Sequence, residues 1–200
     1  SKLLEGVSGM DDVRELVLSR RALVDEDYAK SIAGLIRDYQ GLNPIMRQAV
    51  VNAYAVAGER PFEALRDLYR SLGTDEDRVK VLSAMLSIPS RDEYQKALDF
   101  LVSGEVKRQD LQYFTVGSRN PYVRDLNLKW LMSNYRRFIE AYGDPGVLSR
   151  LLTYSIPLIG IGQEDEVERF LNSLNLPGIE MGVKAGLELM RVYSRLSRSI

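Results

Sequence analysis

Two arginines and a tyrosine around one Asn-Pro dipeptide are the candidate ligand-binding residues of this chain. Arg119 and Arg124 stand on either side of the dipeptide, and Tyr122 follows its proline. A guanidinium can form paired hydrogen bonds with a carboxylate or bind a main-chain oxygen, and an exposed aromatic ring can contact an apolar side chain. The alternative is that both arginines are solvated partners of Asp110 or Asp125 and that the nearby aromatic rings belong to the core.

The residues that most often carry catalysis and metal binding are missing. The chain has no histidine and no cysteine, so Ser118 and Ser155 have no imidazole base, and neither lies in a G-x-S-x-G motif. The acidic runs 25–27 and 164–166 lack the ligand spacing and central glycine of a calcium loop. Such runs are typical of helix N-termini. The sequence therefore predicts no catalytic residue, no metal site and no cofactor in this chain.

Composition excludes several kinds of partner. The 200 residues are 45% hydrophobic and 28% charged, with a formal net charge of −1, which predicts a folded globular chain without the positive field that nucleic acids require. No apolar run approaches the roughly 18 to 20 residues of a membrane-spanning helix. We therefore expect no nucleic-acid and no membrane partner. The lack of cysteine favours a cytoplasmic or a thermophilic setting over secretion, and we expect a cytoplasmic protein.

Apolar residues recur at helical spacing along the chain, and no alternating strand pattern is found. Asn43 and Pro44 are typical of a helix start, and Gly58 of a helix end. A second helix is predicted between Pro61 and Gly73. A short turn joins these two predicted helices, so they should form a helical hairpin. The pattern as a whole predicts an all-α fold.

A second hairpin is predicted about 30 residues after the first. Thr74 begins one of its helices, and a capping box from Ser90 to Glu93 begins the other. A further helix pair, interrupted at Asp25, is expected in the first 40 residues, and the apolar residues of its first helix are Val13, Leu16, Val17 and Leu23. This spacing favours a HEAT/armadillo-like superhelical array of antiparallel helix pairs, which we expect to form a single domain over residues 1–200.

Later segments predict longer helices. We expect one long helix over 121–142 and a shorter one over 145–156, followed by a connection rich in proline and glycine that begins at Pro157. The last predicted helix, 179–197, has two apolar stripes. Because the end of an array normally exposes one face, these stripes favour a cover supplied by another part of a larger protein.

The stretch 105–142 resembles the C-terminal helical domain of the gluzincin zinc aminopeptidases, such as puromycin-sensitive and endoplasmic-reticulum aminopeptidases and the archaeal tricorn-interacting factors. The residues that match their motifs are Gln109, Asp110, Asn120, Pro121, Trp130, Asn134 and Tyr135. Three further segments, 43–59, 60–86 and 147–174, match the family in order, so the resemblance covers about residues 43 to 190. Phe62, Tyr135 and the pair Tyr122-Val123 depart from the usual residues.

The resemblance implies a parent enzyme that removes N-terminal residues from peptides with a zinc ion bound by H-E-x-x-H, a motif that a chain without histidine cannot supply. This chain would then be a fragment of a larger aminopeptidase. It would form a lid over the catalytic half of the same polypeptide, enclose the peptide substrate, and contact it through Arg119, Tyr122 and Arg124. The alternative is a free-standing helical-repeat scaffold that binds a protein or peptide partner on its concave surface.

Overall fold

The computed structural model describes residues 10–174 and 176–199, and over these ranges it contains eleven α-helices and no strand. Three 3-10 segments, 34–41, 108–113 and 121–123, connect some of them. The helices are α1 (Asp11–Val24), α2 (Glu26–Ala33), α3 (Pro44–Ala57), α4 (Pro61–Ser71), α5 (Asp75–Met85), α6 (Arg91–Leu101), α7 (Phe114–Gly117), α8 (Arg124–Tyr142), α9 (Pro145–Ile159), α10 (Glu164–Ser173) and α11 (Glu180–Ser197). The all-α prediction is confirmed, and the superhelical arrangement stays a prediction.

The chain divides into two compact units, with the division between Tyr94 and Gln95 inside α6. The first unit contains α1 to α5 and the first turn of α6. The second unit contains the rest of α6 and the helices α7 to α11. The single domain expected over residues 1–200 stays a prediction.

Side-chain caps begin the helices of the first unit where the sequence predicts them. The Asp25 carboxylate accepts a hydrogen bond from the Tyr28 N–H at 2.9 Å, and Asn43 Oδ1 accepts one from the Ile45 N–H at 3.1 Å. Thr74 caps α5 in the same way. Each cap satisfies a backbone donor that has no partner inside its own helix. These helix starts were therefore predictable from the local sequence.

A helix-bridging hydrogen-bond network lies around the buried carboxylate of Asp77 in the first unit. Tyr39 Oη donates to Asp77 Oδ1 at 3.0 Å, and Arg47 Nη1 donates to Oδ2 at 3.0 Å. The Thr74 hydroxyl also donates to Oδ2 at 3.0 Å. Burial by itself would raise the pKa of Asp77, but these hydrogen bonds and the Arg47 charge lower it overall. The carboxylate therefore joins α3, α5 and the 3-10 segment as an anion.

The first helix, α1, packs through its small and polar side. Ala22 belongs to a buried cluster with Ala29, Ala33, Ala49 and Ala53 from α2 and α3, so the three helices approach closely. On the same side, Asn52 Nδ2 donates to the Ser19 carbonyl at 3.0 Å. The apolar positions that the sequence assigns to a helix pair, Val13, Leu16 and Val17, are instead exposed. The alanine-rich surface contacts Ala22 and the partly buried Leu18 of α1, whereas Val13, Leu16 and Val17 lie on the exposed side of the helix.

In the second unit, α9 and α11 approach each other at two glycines. A Cβ on Gly182 would collide with the Ser149 carbonyl, and one on Gly186 would lie 2.9 Å from the Leu152 carbonyl oxygen. The Gly182 N–H also donates to Ser149 Oγ at 3.0 Å. Only a residue without a side chain permits this backbone contact. The contact fixes α11 against α9.

The predicted break at Pro157 is wrong, because α9 continues to Ile159 with this proline inside it. A proline removes one backbone hydrogen bond, and here the loss falls in the last turn. The Gly160 N–H still donates to the Ile156 carbonyl at 3.0 Å. The helix therefore continues for two residues beyond the proline.

Trp130 is a core residue of α8. It is buried, its ring centroid lies 5.8 Å from that of Phe114, and its Nε1 donates to Asp99 Oδ1 at 3.1 Å. Phe114 is fully buried as well, which confirms the core interpretation for that ring. These contacts join α6, α7 and α8.

Candidate binding groove

A groove of about 1130 Å³ opens in the second unit. One wall comes from the 3-10 segment 108–113 and α7, and the other comes from α9 and α11, with the last residue of α8 between them. Its volume is large for a pocket and matches an extended ligand such as a peptide segment. The α9 and α11 wall is the pair of helices that the glycine contacts hold together.

Three arginines give the groove a positive charge. Arg108, Arg119 and Arg150 line it, and no aspartate or glutamate is found among the described lining residues. None of the three arginines forms an ion pair within the described ranges. The guanidinium of Arg108 is placed beside the end of α8, 3.1 Å from the position of a Cβ on Gly143. The groove therefore attracts an anion, and arginine suits a carboxylate because it can donate two parallel hydrogen bonds.

Tyr142, the last residue of α8, supplies a neutral donor to the same groove. Its side chain is 6% exposed, and its hydroxyl has no hydrogen-bond partner in the described part of the chain. Burial raises the pKa of Tyr142, an effect that the Arg150 charge opposes and the Asp110 charge reinforces. The hydroxyl is thus protonated at neutral pH. A buried donor left without an acceptor costs about 1 to 3 kcal/mol, so a bound acceptor would remove that cost.

Large apolar side chains complete the groove. Tyr154 from α9 is 64% exposed, and Tyr193 and Leu189 from α11 are each 40% exposed. Leu158 also lines this wall. Exposed rings beside cationic groups suit a ligand that carries both an apolar side chain and a carboxylate. Peptides have this combination of groups.

The structure brings one of the three predicted binding residues into the groove. Arg119 lines it, whereas Tyr122 and Arg124 are absent from the lining. Tyr122 is 67% exposed next to the capping Asn120, and Arg124 is half-buried with its Nε unpaired in the described region. The role of all three in substrate binding stays a prediction.

The alternative pairing of the two arginines receives no support from the described ion pairs. Neither Arg119 nor Arg124 forms one with Asp110 or Asp125 in the part of the chain that the structure describes, and Lys129 is the partner of Asp125, at 3.9 Å.

Most of the groove was missed by sequence reasoning. Arg108, Tyr142, Arg150, Tyr154 and Tyr193 come from segments separated by up to 85 positions in the chain. No spacing rule joins them, since each sits in an ordinary amphipathic helix or helix end. The one local signal was the density of arginines near the Asn-Pro turn, and it found Arg119.

The described residues do not fit a zinc site. They contain no group of three or more histidine, cysteine, aspartate or glutamate side chains placed to hold a metal ion, and the sequence has no histidine or cysteine. Zinc in hydrolases is usually bound by histidine nitrogens with one carboxylate. No step of a metal-dependent reaction can therefore be assigned to these residues.

Over residues 10–174 and 176–199, none of the helices combines the length and the apolar character that crossing a bilayer requires.

Within its described ranges the protein is all-α, with an arginine-lined groove in its second unit. Residues 8–192 match the family model described as the ERAP1-like C-terminal domain, and the chain belongs to that family. The predicted resemblance to the C-terminal domain of the aminopeptidases is thereby confirmed.

Similar proteins include archaeal aminopeptidases and a tricorn protease-interacting factor. Leucyl aminopeptidase of Saccharolobus solfataricus is 36% identical over 182 residues, which are 90% of this chain and 23% of that protein. Probable aminopeptidase 2 of Sulfurisphaera tokodaii is 32% identical over the same shares. Tricorn protease-interacting factor F2 of Thermoplasma volcanium is 28% identical over 94% of this chain and 24% of that protein. The chain thus spans about a quarter of the length of the relatives it matches.

Proposed function

We propose that this chain is the non-catalytic C-terminal domain of a zinc aminopeptidase and that it forms part of the chamber holding the peptide substrate. Membership of the ERAP1-like C-terminal domain family and the names of the relatives support the enzyme class. Zinc and the catalytic residues would belong to the rest of the polypeptide, because this sequence lacks histidine and cysteine. The cytoplasmic setting expected from the cysteine-free sequence belongs to the same proposal.

The groove is the observation that carries the substrate role. In this proposal a peptide carboxylate accepts hydrogen bonds from Arg150 and the Tyr142 hydroxyl, while Arg108 and Arg119 add positive charge. An apolar peptide side chain lies against the tyrosines of α9 and α11. Binding at a distance from the scissile bond uses the free energy of the remote contacts to position the substrate. Tyr122 and Arg124, outside the groove, remain proposed contacts with the substrate.

The test compares variants of the longer aminopeptidase polypeptide that contains this chain. Arg150→Ala should raise KM about tenfold or more for a peptide with a free C-terminal carboxylate, since a charged hydrogen bond contributes about 1.5 to 3 kcal/mol. The C-terminal amide of the same peptide should be affected far less. A single amino acid anilide should be cleaved as before, because it is too short to reach the groove.

Arg195→Ala is the matched control, as Arg195 is another exposed arginine of the second unit but is absent from the groove lining. Its KM should match that of the unaltered enzyme for every substrate. Equal effects of Arg150→Ala on the acid and the amide would contradict carboxylate binding in the groove. Loss of anilide cleavage in this variant would show that Arg150 acts outside peptide positioning.

A further inference from the structure

A second, smaller space of about 540 Å³ opens in the second unit, between the loop that follows α6 and the last turns of α8. We call it the smaller cleft, to distinguish it from the groove. One wall comes from the end of α6, the loop and the start of the 3-10 segment 108–113, and the other comes from residues 137–141 of α8. The volume falls within the range of sites for small molecules.

The loop wall of the smaller cleft is held by contacts of its own. The Ser103 N–H donates to the Phe100 carbonyl at 3.1 Å, and the Glu105 N–H donates to Ser103 Oγ at 3.2 Å. The Val106 side chain is 6% exposed, so it anchors the loop to the core. The wall is therefore formed without the help of a ligand.

The lining of the smaller cleft carries charges of both signs. Lys107, Arg108 and Arg137 are positive, and Glu140 is negative. The groove differs, because no aspartate or glutamate is found among its described lining residues. A ligand with a carboxylate alone suits the groove. The smaller cleft suits a ligand that has both a carboxylate and an ammonium group, each of which can form a charged hydrogen bond there.

Arg137 and Glu140 bring the two signs together on one face of α8. Positions three apart on a helix are neighbours, with about 5 to 6 Å between their Cβ atoms. Even so, neither side chain forms an ion pair within the described ranges. Arg137 Nη1 donates to Asn134 Oδ1 at 3.1 Å, and a guanidinium has further N–H donors. A small zwitterion can therefore meet a partner for each of its charges on this face.

The position of Glu140 in the helix favours a bound cation. Glu140 is exposed and belongs to the last turn of α8, which contains no basic residue. The helix dipole makes a carboxylate unfavourable at a C-terminal end and a cation favourable. An ammonium group beside Glu140 would be stabilised by the carboxylate and by the dipole together.

Aliphatic side chains form the apolar part of the lining. They are Leu101, Val102, Val106, Leu111 and Ala141. No aromatic ring is found among the lining residues that the structure describes, so the smaller cleft offers no ring on which a nucleobase could stack. An aliphatic ligand side chain would be removed from water against these residues. The lining therefore matches the carboxylate, the ammonium group and the side chain of an aliphatic amino acid.

We propose that the smaller cleft binds a free amino acid with an aliphatic side chain and that the bound amino acid weakens carboxylate binding in the groove. The link is Arg108, which lines both spaces. An Arg108 guanidinium that donates to the amino acid carboxylate contributes less positive charge to the groove, and such coupling acts equally in both directions. The choice of an amino acid rests on the proposed function, because an aminopeptidase releases amino acids. The product would then oppose the binding of further peptide.

Titration of the isotope-labelled 200-residue chain with L-leucine, followed by NMR, tests the site. The amide resonances of residues 103–106 and 137–141 should shift and reach saturation. L-leucinamide lacks the carboxylate and isocaproate lacks the ammonium group, so each should bind about tenfold or more weakly than L-leucine. Equal binding of L-leucine and isocaproate would overturn the proposal, as would shifts confined to the residues of the groove.

Two substitutions test the charged partners in the same titration. Glu140→Gln and Arg137→Gln should each weaken L-leucine binding by about tenfold or more. Both side chains are exposed, so the fold should be retained. Glu188→Gln is the matched control, because Glu188 is an exposed carboxylate of α11 that is absent from the lining of both spaces. An unchanged affinity of Glu140→Gln for L-leucine would contradict the ammonium site.

The coupling is measured with an N-acetylated peptide that has a free C-terminal carboxylate. Its Kd for the 200-residue chain should rise about fivefold in saturating L-leucine, and the C-terminal amide of the same peptide should be affected far less. An unchanged Kd would overturn the role of Arg108. These outcomes are distinct from failure of the proposed function, because the KM of the longer polypeptide can depend on a peptide carboxylate whether or not L-leucine binds.

Discussion

Tyr39 in the first unit and Tyr142 in the second unit are both buried tyrosines, but their hydroxyl groups differ in hydrogen bonding. Both are buried, and burial is the main cause that raises the pKa of each. The Tyr39 hydroxyl donates to Asp77 at 3.0 Å, whereas the Tyr142 hydroxyl has no acceptor in the described ranges. One hydroxyl is thus part of the structure of its unit, and the other is a free donor in the lining of a groove.

The arginines of the two regions differ in the same way. In the first unit Arg47 pairs with Asp77 and Arg21 pairs with Asp25. The three arginines of the groove have no such partner within the described ranges. Paired groups hold helices together, and unpaired groups that water still reaches can bind a ligand at little cost in stability. The first unit therefore uses its polar groups for folding, and the second unit leaves several of them available.

The largest expected effect comes from the helix contact that forms the groove wall. Gly182→Ala places a methyl group into the Ser149 backbone, which must force α9 and α11 apart. We expect a loss of about 3 kcal/mol in the free energy of unfolding, at the upper end for overpacked sites. Urea denaturation followed by circular dichroism measures it.

Gly34→Ala is the control for this substitution. Gly34 has helical backbone angles, and an added Cβ there would meet no atom within 4 Å. That variant should be as stable as the unaltered chain or more stable by about 0.5 kcal/mol. Equal stability of Gly182→Ala and Gly34→Ala would mean that the second unit does not depend on the close contact of α9 and α11.

In the first unit, Asp77→Asn should cause a smaller loss in the free energy of unfolding. Loss of the charge weakens the hydrogen bonds from Arg47 and Tyr39, and we expect a cost of about 2 kcal/mol at pH 7. The pKa of Asp77 is lowered in the folded chain. Its contribution is therefore complete above the unfolded value of about 3.9 and is lost as pH falls through the lower folded value.

Denaturation at several pH values between 7 and 2 tests this sign. The difference in unfolding free energy between the unaltered chain and Asp77→Asn should shrink as the pH falls below about 4. A difference that stays constant down to pH 2 would show that the carboxylate charge contributes nothing to the network.

The smallest changes in stability are expected from removing the hydroxyl of either tyrosine, and the two variants should differ in sign. Tyr39→Phe removes a satisfied hydroxyl and leaves Asp77 with one donor fewer, which costs about 1 kcal/mol. Tyr142→Phe removes a donor without an acceptor, so stability should be unchanged or rise by up to about 1 kcal/mol. Thermal unfolding of the two variants in parallel gives the comparison. A similar loss in both would mean that the Tyr142 hydroxyl has a structural role.

Helix starts and ends were predictable because they depend on neighbours in the sequence. Asp25, Asn43 and Thr74 each satisfy a backbone donor two or three residues ahead, and a single sequence contains that information. The order of several weak motifs likewise predicted the family. Pro157 was misassigned, since the rule against proline in helices has little force in a last turn.

Which side of each helix is buried was harder to predict from the sequence. The spacing of Val13, Leu16 and Val17 correctly indicates one face of a helix, but the opposite side of α1 fits the alanines of α2 and α3. That preference depends on surfaces contributed by distant segments. The groove was missed for the same reason, as its arginines and tyrosines converge only after α9 and α11 have packed.

The unpaired arginines also affect how quickly an anionic ligand arrives. A groove lined by charges of one sign raises the rate of diffusional encounter, and this attraction reaches about 30 Å at 0.01 M salt but only about 10 Å at 0.1 M. Association of an anionic ligand should therefore slow with rising ionic strength. A neutral donor such as the Tyr142 hydroxyl is unaffected by screening at long range, so it acts on the lifetime of the complex once the ligand has arrived.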